Sequence, residues 1–352
     1  MSQPPEAASP PAAKRGDMSE LRKNEGRAST TEIFQSLVTG AQGGRHSVLV
    51  TIAGLTDTGA RAVGTHMLVF DDGESVGSLS SGCVEAAIVS QALELLGNPR
   101  PLVVRYGQGS PYIDIRLPCG GGMDVLFLPH PAPGLFQSIL DRLHRRQPAT
   151  VALGLTGGSR LLDQPAASGV ARDSLVITHV PPMRIVCLGN GAEMLAFMDI
   201  AAAFGAIIEV LSPSLEIVAA AVARGHRGAR LLSPSSLVPV EGDPWTAFLF
   251  LFHDHDWEPP LLARVLPLES FWVGAMGSPR TQKDRLAALS EMGVAEHLRQ
   301  RVRGPIGLIP SSRAPATLAL SALAEIVDAA SRNRGEEAID LRQETRGWPA
   351  LA

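Results

Sequence analysis

Two of the three cysteines, Cys83 and Cys119, stand in glycine-rich segments suited to presenting a thiol. One reads Ser80-Ser81-Gly82-Cys83-Val84-Glu85 and the other Pro118-Cys119-Gly120-Gly121-Gly122. Glycine loses the most backbone freedom on ordering, so three in a row suggest a backbone that must approach a ligand or metal closely. The pattern places Cys83 in the first turn of a helix, with Ser81 or Gly82 as N-cap. There, unpaired N–H groups and the positive helix end stabilise a thiolate. Such a thiol can act as nucleophile, sulfur carrier or soft-metal ligand. The plain alternative is a small apolar residue closing a strand–helix junction, and the segment alone leaves both open. Around Cys119, consecutive glycines expose N–H groups that form a nest for an anion. The alternative there is a flexible hairpin. Cys187, inside Ile185-Val186-Cys187-Leu188, reads as core.

Three further segments carry possible chemistry. Gly189-Asn190-Gly191 follows a strand and opens a helix, the context of a dinucleotide phosphate turn. Met194 replaces the third glycine, however, and the end of the second strand offers Ser212 and Ser214 where an acid should meet the ribose. Glu209 is near the usual spacing but lies within the strand. The expectation is a Rossmann topology that does not take NAD(P). Gly274-Ala275-Met276-Gly277-Ser278-Pro279-Arg280 is a second anion candidate, with Ser278 as N-cap, Pro279 at the first helical position and Arg280 for a phosphate. A capped surface helix is its alternative. His253-Asp254-His255-Asp256 ends a strand on the ligand-binding edge of an open sheet, without the spacing of a zinc site.

The elements that must position these residues fall into two patterns. Residues 1–30 read as a disordered leader, with Met18 a second candidate start. Thr31 caps a helix over 32–38 that ends at Gly40. Strands are predicted at 47–53, 65–70, 75–79, 102–106, 123–128 and 150–155. Val84, Ile88, Ala92 and Leu95 form one apolar helical stripe, and a second helix covers 135–145. This first domain, 31–162, is α+β. Residues 163–182 read as a linker, stiffened by Pro181-Pro182. From Met183 strand, loop and helix alternate, the mark of a parallel α/β sheet. That Rossmann-like domain spans 183–333, and 334–352 is a flexible tail.

Composition narrows the function classes. The chain has 352 residues, 45% apolar and 19% charged, an ordinary globular balance that suits two domains. Aromatics make up only 5% and the net charge is −4, so neither a stacking surface nor a basic field for nucleic acid is present. No apolar run reaches membrane-spanning length, so no membrane partner is expected. Three cysteines are no disulfide framework and fit a reducing, cytoplasmic setting.

Taken together, the segments resemble the XdhC/CoxI family, accessory factors of xanthine dehydrogenase and related molybdenum hydroxylases. The carriers are residues 77–85, 117–122 and 273–280, then Gly304-Pro305-Ile306-Gly307-Leu308 and the helix 319–326. The resemblance implies an N-terminal α+β domain followed by a Rossmann-like one. It implies a cofactor chaperone rather than a turnover enzyme. Such a protein binds molybdenum cofactor of the molybdopterin type transiently. With a cysteine desulfurase it helps replace an oxo ligand by sulfido, and it delivers the cofactor to the apo-hydroxylase. By carry-over, Cys83 and Cys119 contact molybdenum, while Gly82, Gly120, Gly121, Gly189, Gly191, Gly277, Ser278 and Arg280 form the cofactor-binding set. A homodimer stays open. The chain departs from the family pattern at Ala192 and Met194 in the glycine turn, at Ser212 and Ser214, and at Ser81. The competing expectations are an NAD(P)-dependent oxidoreductase and an interaction scaffold that binds no cofactor.

Overall fold

A computed structural model of the chain describes residues 28–56, 61–80, 82, 84–110, 120–156, 158–235, 239–254, 256–310 and 312–333. Cys83, Cys119, Ser81 and His255 lie outside the described residues, as do nearly all of the expected leader and the whole of the expected tail. The chain divides into two compact units, one running to His179 and the other beginning at Val180.

The first unit opens with α1 (Thr30–Gln42). Ser29, not Thr31, is its cap. The Ser29 side chain accepts from the Glu32 amide at 3.3 Å while Glu32 Oε2 accepts from the Ser29 amide at 2.7 Å. An acid three residues after a serine makes this reciprocal cap, which draws residues 28–30 out of the expected leader. An antiparallel sheet follows: β1 (Ser47–Thr56), β2 (His66–Phe70), β3 (Ser75–Gly77), β4 (Leu102–Gly107) and β5 (Gly122–Pro129), in the order β3-β2-β1-β5-β4. Alternation along β1 sends Val48, Val50 and Ile52 to one face, where α2 (Glu85–Leu95) packs through Ile88 and Ala92. Leu49 and Ala53 face the other way, against Phe34 of α1 and Phe136 and Ile139 of α3 (Pro133–His144).

A second sheet in this unit corrects the linker expectation. It contains β6 (Ala149–Gly154), β7 (Arg160–Leu162), β8 (Gly169–Ala171) and β9 (Ser174–His179), in the order β7-β6-β9-β8. Residues 163–182 therefore hold two strands, and Leu175 and Ile177 join the core with Val151 and Leu153. Two of the new strands are three residues long, too short to show an alternation.

Between these layers lies a buried polar cluster. Thr51 Oγ1 and His66 Nδ1 share a 2.8 Å hydrogen bond, and the His66 and His179 rings are 5.2 Å apart. Burial lowers both imidazoles: His66 falls well below its ordinary range, helped by the neighbouring His179, and His179 is pushed down to about 4. A histidine held neutral when folded takes up its proton more readily unfolded, so stability is full above pH ~6.5 and falls as pH drops toward the folded value. His179 alone should remove about 2 kcal/mol from the first unit at pH 5. Urea unfolding at pH 7 and pH 5, followed by far-ultraviolet circular dichroism, checks this. His179→Leu should reduce the dependence and leave the part due to His66, and an unchanged pH loss in that variant would refute the assignment.

The second unit is a parallel sheet: β10 (Arg184–Gly189), β11 (Ile207–Ser212), β12 (Arg227–Arg230), β13 (Thr246–Leu251), β14 (Trp272–Ala275) and β15 (Val302–Arg303). The spatial order is β12-β11-β10-β13-β14-β15. Its helices are α4 (Ala192–Phe204), α5 (Leu215–Ala223), α6 (Glu258–Val265), α7 (Pro279–Glu291), α8 (Glu296–Arg299) and α9 (Pro315–Asn333). Ile185, Cys187 and Leu249 pack against α4 and α9, while Val186, Leu188, Phe248 and Phe250 pack against α6 and Leu289 of α7. Cys187 is fully buried, as expected, and burial pushes its thiol up. The chain runs outward from β10 to β12 and then returns to β13. The crevice beside Gly189 and His253 is thus the point where strand order reverses, the usual ligand position in such sheets.

Candidate functional site

In the first unit the topology brings both cysteine-bearing segments to one end of the sheet. β1 ends at Thr56 opposite Gly122 of β5, and β3, antiparallel to β2, ends at the same side. The segment leaving β3 carries Cys83, and the segment entering β5 carries Cys119. Across the sheet β2 and β1 lie between the two anchors, and along it Gly77 of β3 is level with Val50 whereas Gly122 of β5 is level with Thr56, six residues further along β1.

Glu85 organises the first of these segments. Its Oε1 accepts from the Ser78 hydroxyl at 2.7 Å and the Ser80 amide at 2.8 Å; its Oε2 accepts from the Ser80 hydroxyl at 2.6 Å and the Val84 amide at 3.3 Å. Burial works to raise the carboxyl pKa, but the hydrogen bonds from Ser80 and Ser78 outweigh it and hold the group below its ordinary value. The helix begins at Glu85, with Val84 as N-cap and no side-chain cap from that residue. This corrects the expectation that Cys83 sits in the first turn. The positive helix end is already engaged by a carboxylate, so it offers no separate support for a thiolate at Cys83. Gly82 (φ 100°) and Gly120 (φ 75°) both hold left-handed backbone, a conformation that favours glycine, and no described residue crowds either position.

The glycine run before β5 is less exposed than an anion nest would be. The Gly122 amide donates to Thr56 Oγ1 at 2.9 Å, and the Gly121 carbonyl accepts from Gln108 at 3.0 Å. Arg105 secures the same corner, donating to Thr56 at 2.7 Å and to both oxygens of Asp124 at 2.9 Å.

In the second unit a cavity of about 630 Å³ opens at the crevice, with Glu193, His253, Met276, Gly277, Ile306 and Arg313 among its walls. Glu193, in the first turn of α4, is paired to His253, Nε2 to Oε2 at 3.1 Å. Its carboxylate lies 3.2 Å from where a Cβ on Gly191 would stand. A pyrophosphate in this turn would therefore meet a negative charge. Glu209 is bound to Arg227 at 3.2 Å and lies 3.7 Å from Arg184, and Ser212 is fully buried, its hydroxyl accepting from the Ser214 amide. Arg285 fixes the cavity rim: Nη2 donates to the Met276 carbonyl at 2.6 Å, and the guanidinium binds Glu258 Oε2 at 2.8 and 3.0 Å, both side chains being 2% exposed or less. The opposite wall hangs on α9, where Glu325 accepts from the Gly307 amide at 2.6 Å and Ser321 from the Ile309 amide at 2.7 Å.

Known proteins share this arrangement. The family model described as the XdhC Rossmann domain matches residues 185–326, and that of the XdhC and CoxI family matches 41–107. The Escherichia coli K12 protein named molybdenum cofactor insertion chaperone PaoD is 32% identical over 295 residues, covering 84% of this chain and 86% of that protein. The chain belongs to the XdhC/CoxI family. A second E. coli K12 relative, the uncharacterised YqeB, is 24% identical over 270 residues, and the match spans 39% of its length. A crystal structure titled a xanthine dehydrogenase, from Bacillus halodurans, shares the fold with a TM-score of 0.68 at 18% identity, over 87% of this chain and 96% of that one.

For the XdhC/CoxI motifs, the structure separates what the sequence grouped. Gly82, Gly120 and Gly121 belong to the first unit, whereas Gly189, Gly191, Gly277, Ser278 and Arg280 belong to the second. Gly277 lines the cavity. Ser278 and Arg280 do not: the Ser278 hydroxyl accepts from the Thr281 amide at 3.1 Å as a helix cap, and Arg280 is exposed to solvent. Arg313, which the motif did not contain, lines the cavity. Glu193, Glu85 and Arg285 were also missed, although Glu85 closes the first motif and His253 had been placed at the sheet edge. No group of three His, Cys, Asp or Glu side chains arranged for a metal occurs among the described residues. Among them, no helix is long and apolar enough to cross a membrane.

Proposed function

We propose that this XdhC/CoxI protein is a molybdenum cofactor chaperone that binds the cofactor transiently and inserts it into a molybdenum hydroxylase. The observation that carries this reading is the 32% identity to an insertion chaperone along 84% of the chain. In finer detail, the client is of the xanthine dehydrogenase type, and a cysteine desulfurase provides the sulfur that replaces an oxo ligand before delivery.

The residues fit the group chemically. Thiolates at Cys83 and Cys119 are the soft donors a thiophilic metal prefers. Their segments adjoin β3 and β5 of one sheet, and Glu85 binds Ser78, Ser80 and Val84 of the first. In the other unit, a crevice cavity of about 630 Å³ has the size of a small-molecule site. Bound, the cofactor supplies the molybdenum centre on which the client's chemistry depends. The chain's own work is to bind, orient and release it. The carboxylate of Glu193 at the glycine turn supports this reading over a nicotinamide-dependent oxidoreductase.

The test is to load purified protein with cofactor and measure retained molybdenum by mass spectrometry. Wild type should retain it, and Cys83→Ala and Cys119→Ala should each retain it about tenfold less well, the scale of a lost metal-site group. If both variants match wild type, the thiol assignment is wrong. If wild type retains none, the chaperone reading fails.

A further inference from the structure

Helix α9 carries apolar surface on its outer side. Leu320 is 53% exposed, and Leu308 and Ile309 are 58% and 46% exposed. The three are neighbours in space, because the Leu308 and Ile309 amides donate to the Ser321 carbonyl at 3.4 Å and the Ser321 hydroxyl at 2.7 Å. About one helical turn to either side of Leu320 stand Ala316 and Ala324, small residues that let a second helix approach closely. Apolar side chains exposed as a group, rather than singly, mark an interaction surface.

Charge selects what covers this surface. Arg313, two residues ahead of the helix, is exposed and has no ion pair among the described residues. Asp328 is 44% exposed and pairs with Arg332 of its own helix, which leaves its carboxylate further acceptor positions. The cation precedes Leu320 by seven residues and the anion follows it by eight. At ~1.5 Å per residue, the two opposite charges lie almost equally far from the leucine along the axis. A two-fold axis at Leu320 therefore sets Arg313 of each copy level with Asp328 of the other, and one leucine against its counterpart. A parallel pairing would set like charges level instead.

We infer that this face is the interface of a symmetric dimer, in which a second copy of the chain packs its α9 antiparallel on the first about Leu320. Apolar contact fills the centre, and two Arg313–Asp328 pairs close the rim and fix the orientation. Ile309 and Arg313 also line the crevice cavity, so the second copy steadies that wall. The inference stands apart from the cofactor reading.

Sedimentation equilibrium on the full chain tests it. Wild type should be dimeric at micromolar concentration, and Leu320→Glu monomeric with an unchanged circular dichroism spectrum, because the side chain replaced is half exposed. Arg313→Asp should weaken the dimer about tenfold or more, since symmetry counts the change twice. Adding Asp328→Arg to that variant should recover most of the lost affinity. A second measurement locates the axis. On a background of Cys83→Ser and Cys119→Ser, Leu320→Cys should form an intermolecular disulfide on oxidation, as a residue at a two-fold axis meets its own copy. Asp328→Cys should not, being roughly 24 Å from its copy in this arrangement. A wild type monomeric throughout the micromolar range, a dimer that survives Leu320→Glu, a charge exchange without recovery, or no disulfide at Leu320→Cys overturns the inference.

Discussion

Replacing Arg285 by alanine should destabilise the second unit by about 3–5 kcal/mol, the usual penalty for stranding one member of a buried ion pair. The guanidinium and the Glu258 carboxylate are 2% and 1% exposed. Removal would leave a carboxylate in the core facing a void where its countercharge had been. It would also take the 2.6 Å donor from the Met276 carbonyl, loosening the rim of the cavity. Three of the four tryptophans, Trp245, Trp257 and Trp272, fall in this unit, so tryptophan fluorescence during urea unfolding reports on it. The paired change Glu258→Leu with Arg285→Met separates charge from packing. It should recover a large part of the loss, because well-packed apolar groups often replace a buried pair at little cost. Recovery should be incomplete, since Met276 still lacks its donor. A single-variant loss under about 1 kcal/mol would mean that water reaches Glu258.

Gly189→Ala should cost about 3 kcal/mol or more, combining overpacking with a strained backbone. A methyl group there would lie 2.2 Å from the Leu251 carbonyl oxygen, at φ 152°. That oxygen accepts from the Asn190 amide at 3.1 Å, so the clash falls on the bond that shapes the turn. The neighbours are the backbones of two central strands, which cannot rotate aside as a side chain can. The same displacement should shift Glu193 relative to His253. Urea unfolding by tryptophan fluorescence reads the loss. Full stability would show that β10 and β13 can spread.

The Rossmann-like unit was legible because its signals are local. Strand, Gly-x-Gly turn and apolar helix follow one another within residues 184–204, and the predicted helix over 192–204 matches α4. The first sheet was legible for the same reason, β1, β2, β4 and β5 being runs of five or more residues rich in Val, Leu, Ile and Phe. The second sheet was not, because β7 and β8 are brief and flanked by turn residues that read as a connector. The cavity was hidden differently. Glu193, His253 and Arg313 come from three separated segments, and only the sheet order brings them together. Arg280 illustrates the converse: adjacent in sequence to a convincing motif, it is exposed and outside the cavity. Likewise the start of α2 was misjudged because its capping group sits inside the helix, at Glu85, rather than ahead of it.

That carboxylate gives the Ser78–Glu85 stretch a property of its own. Its hydrogen bonds to Ser78, Ser80 and Val84 close within one short stretch of chain rather than across the fold. The stretch is in this sense a self-contained module, which a designer could transplant together with its own contacts.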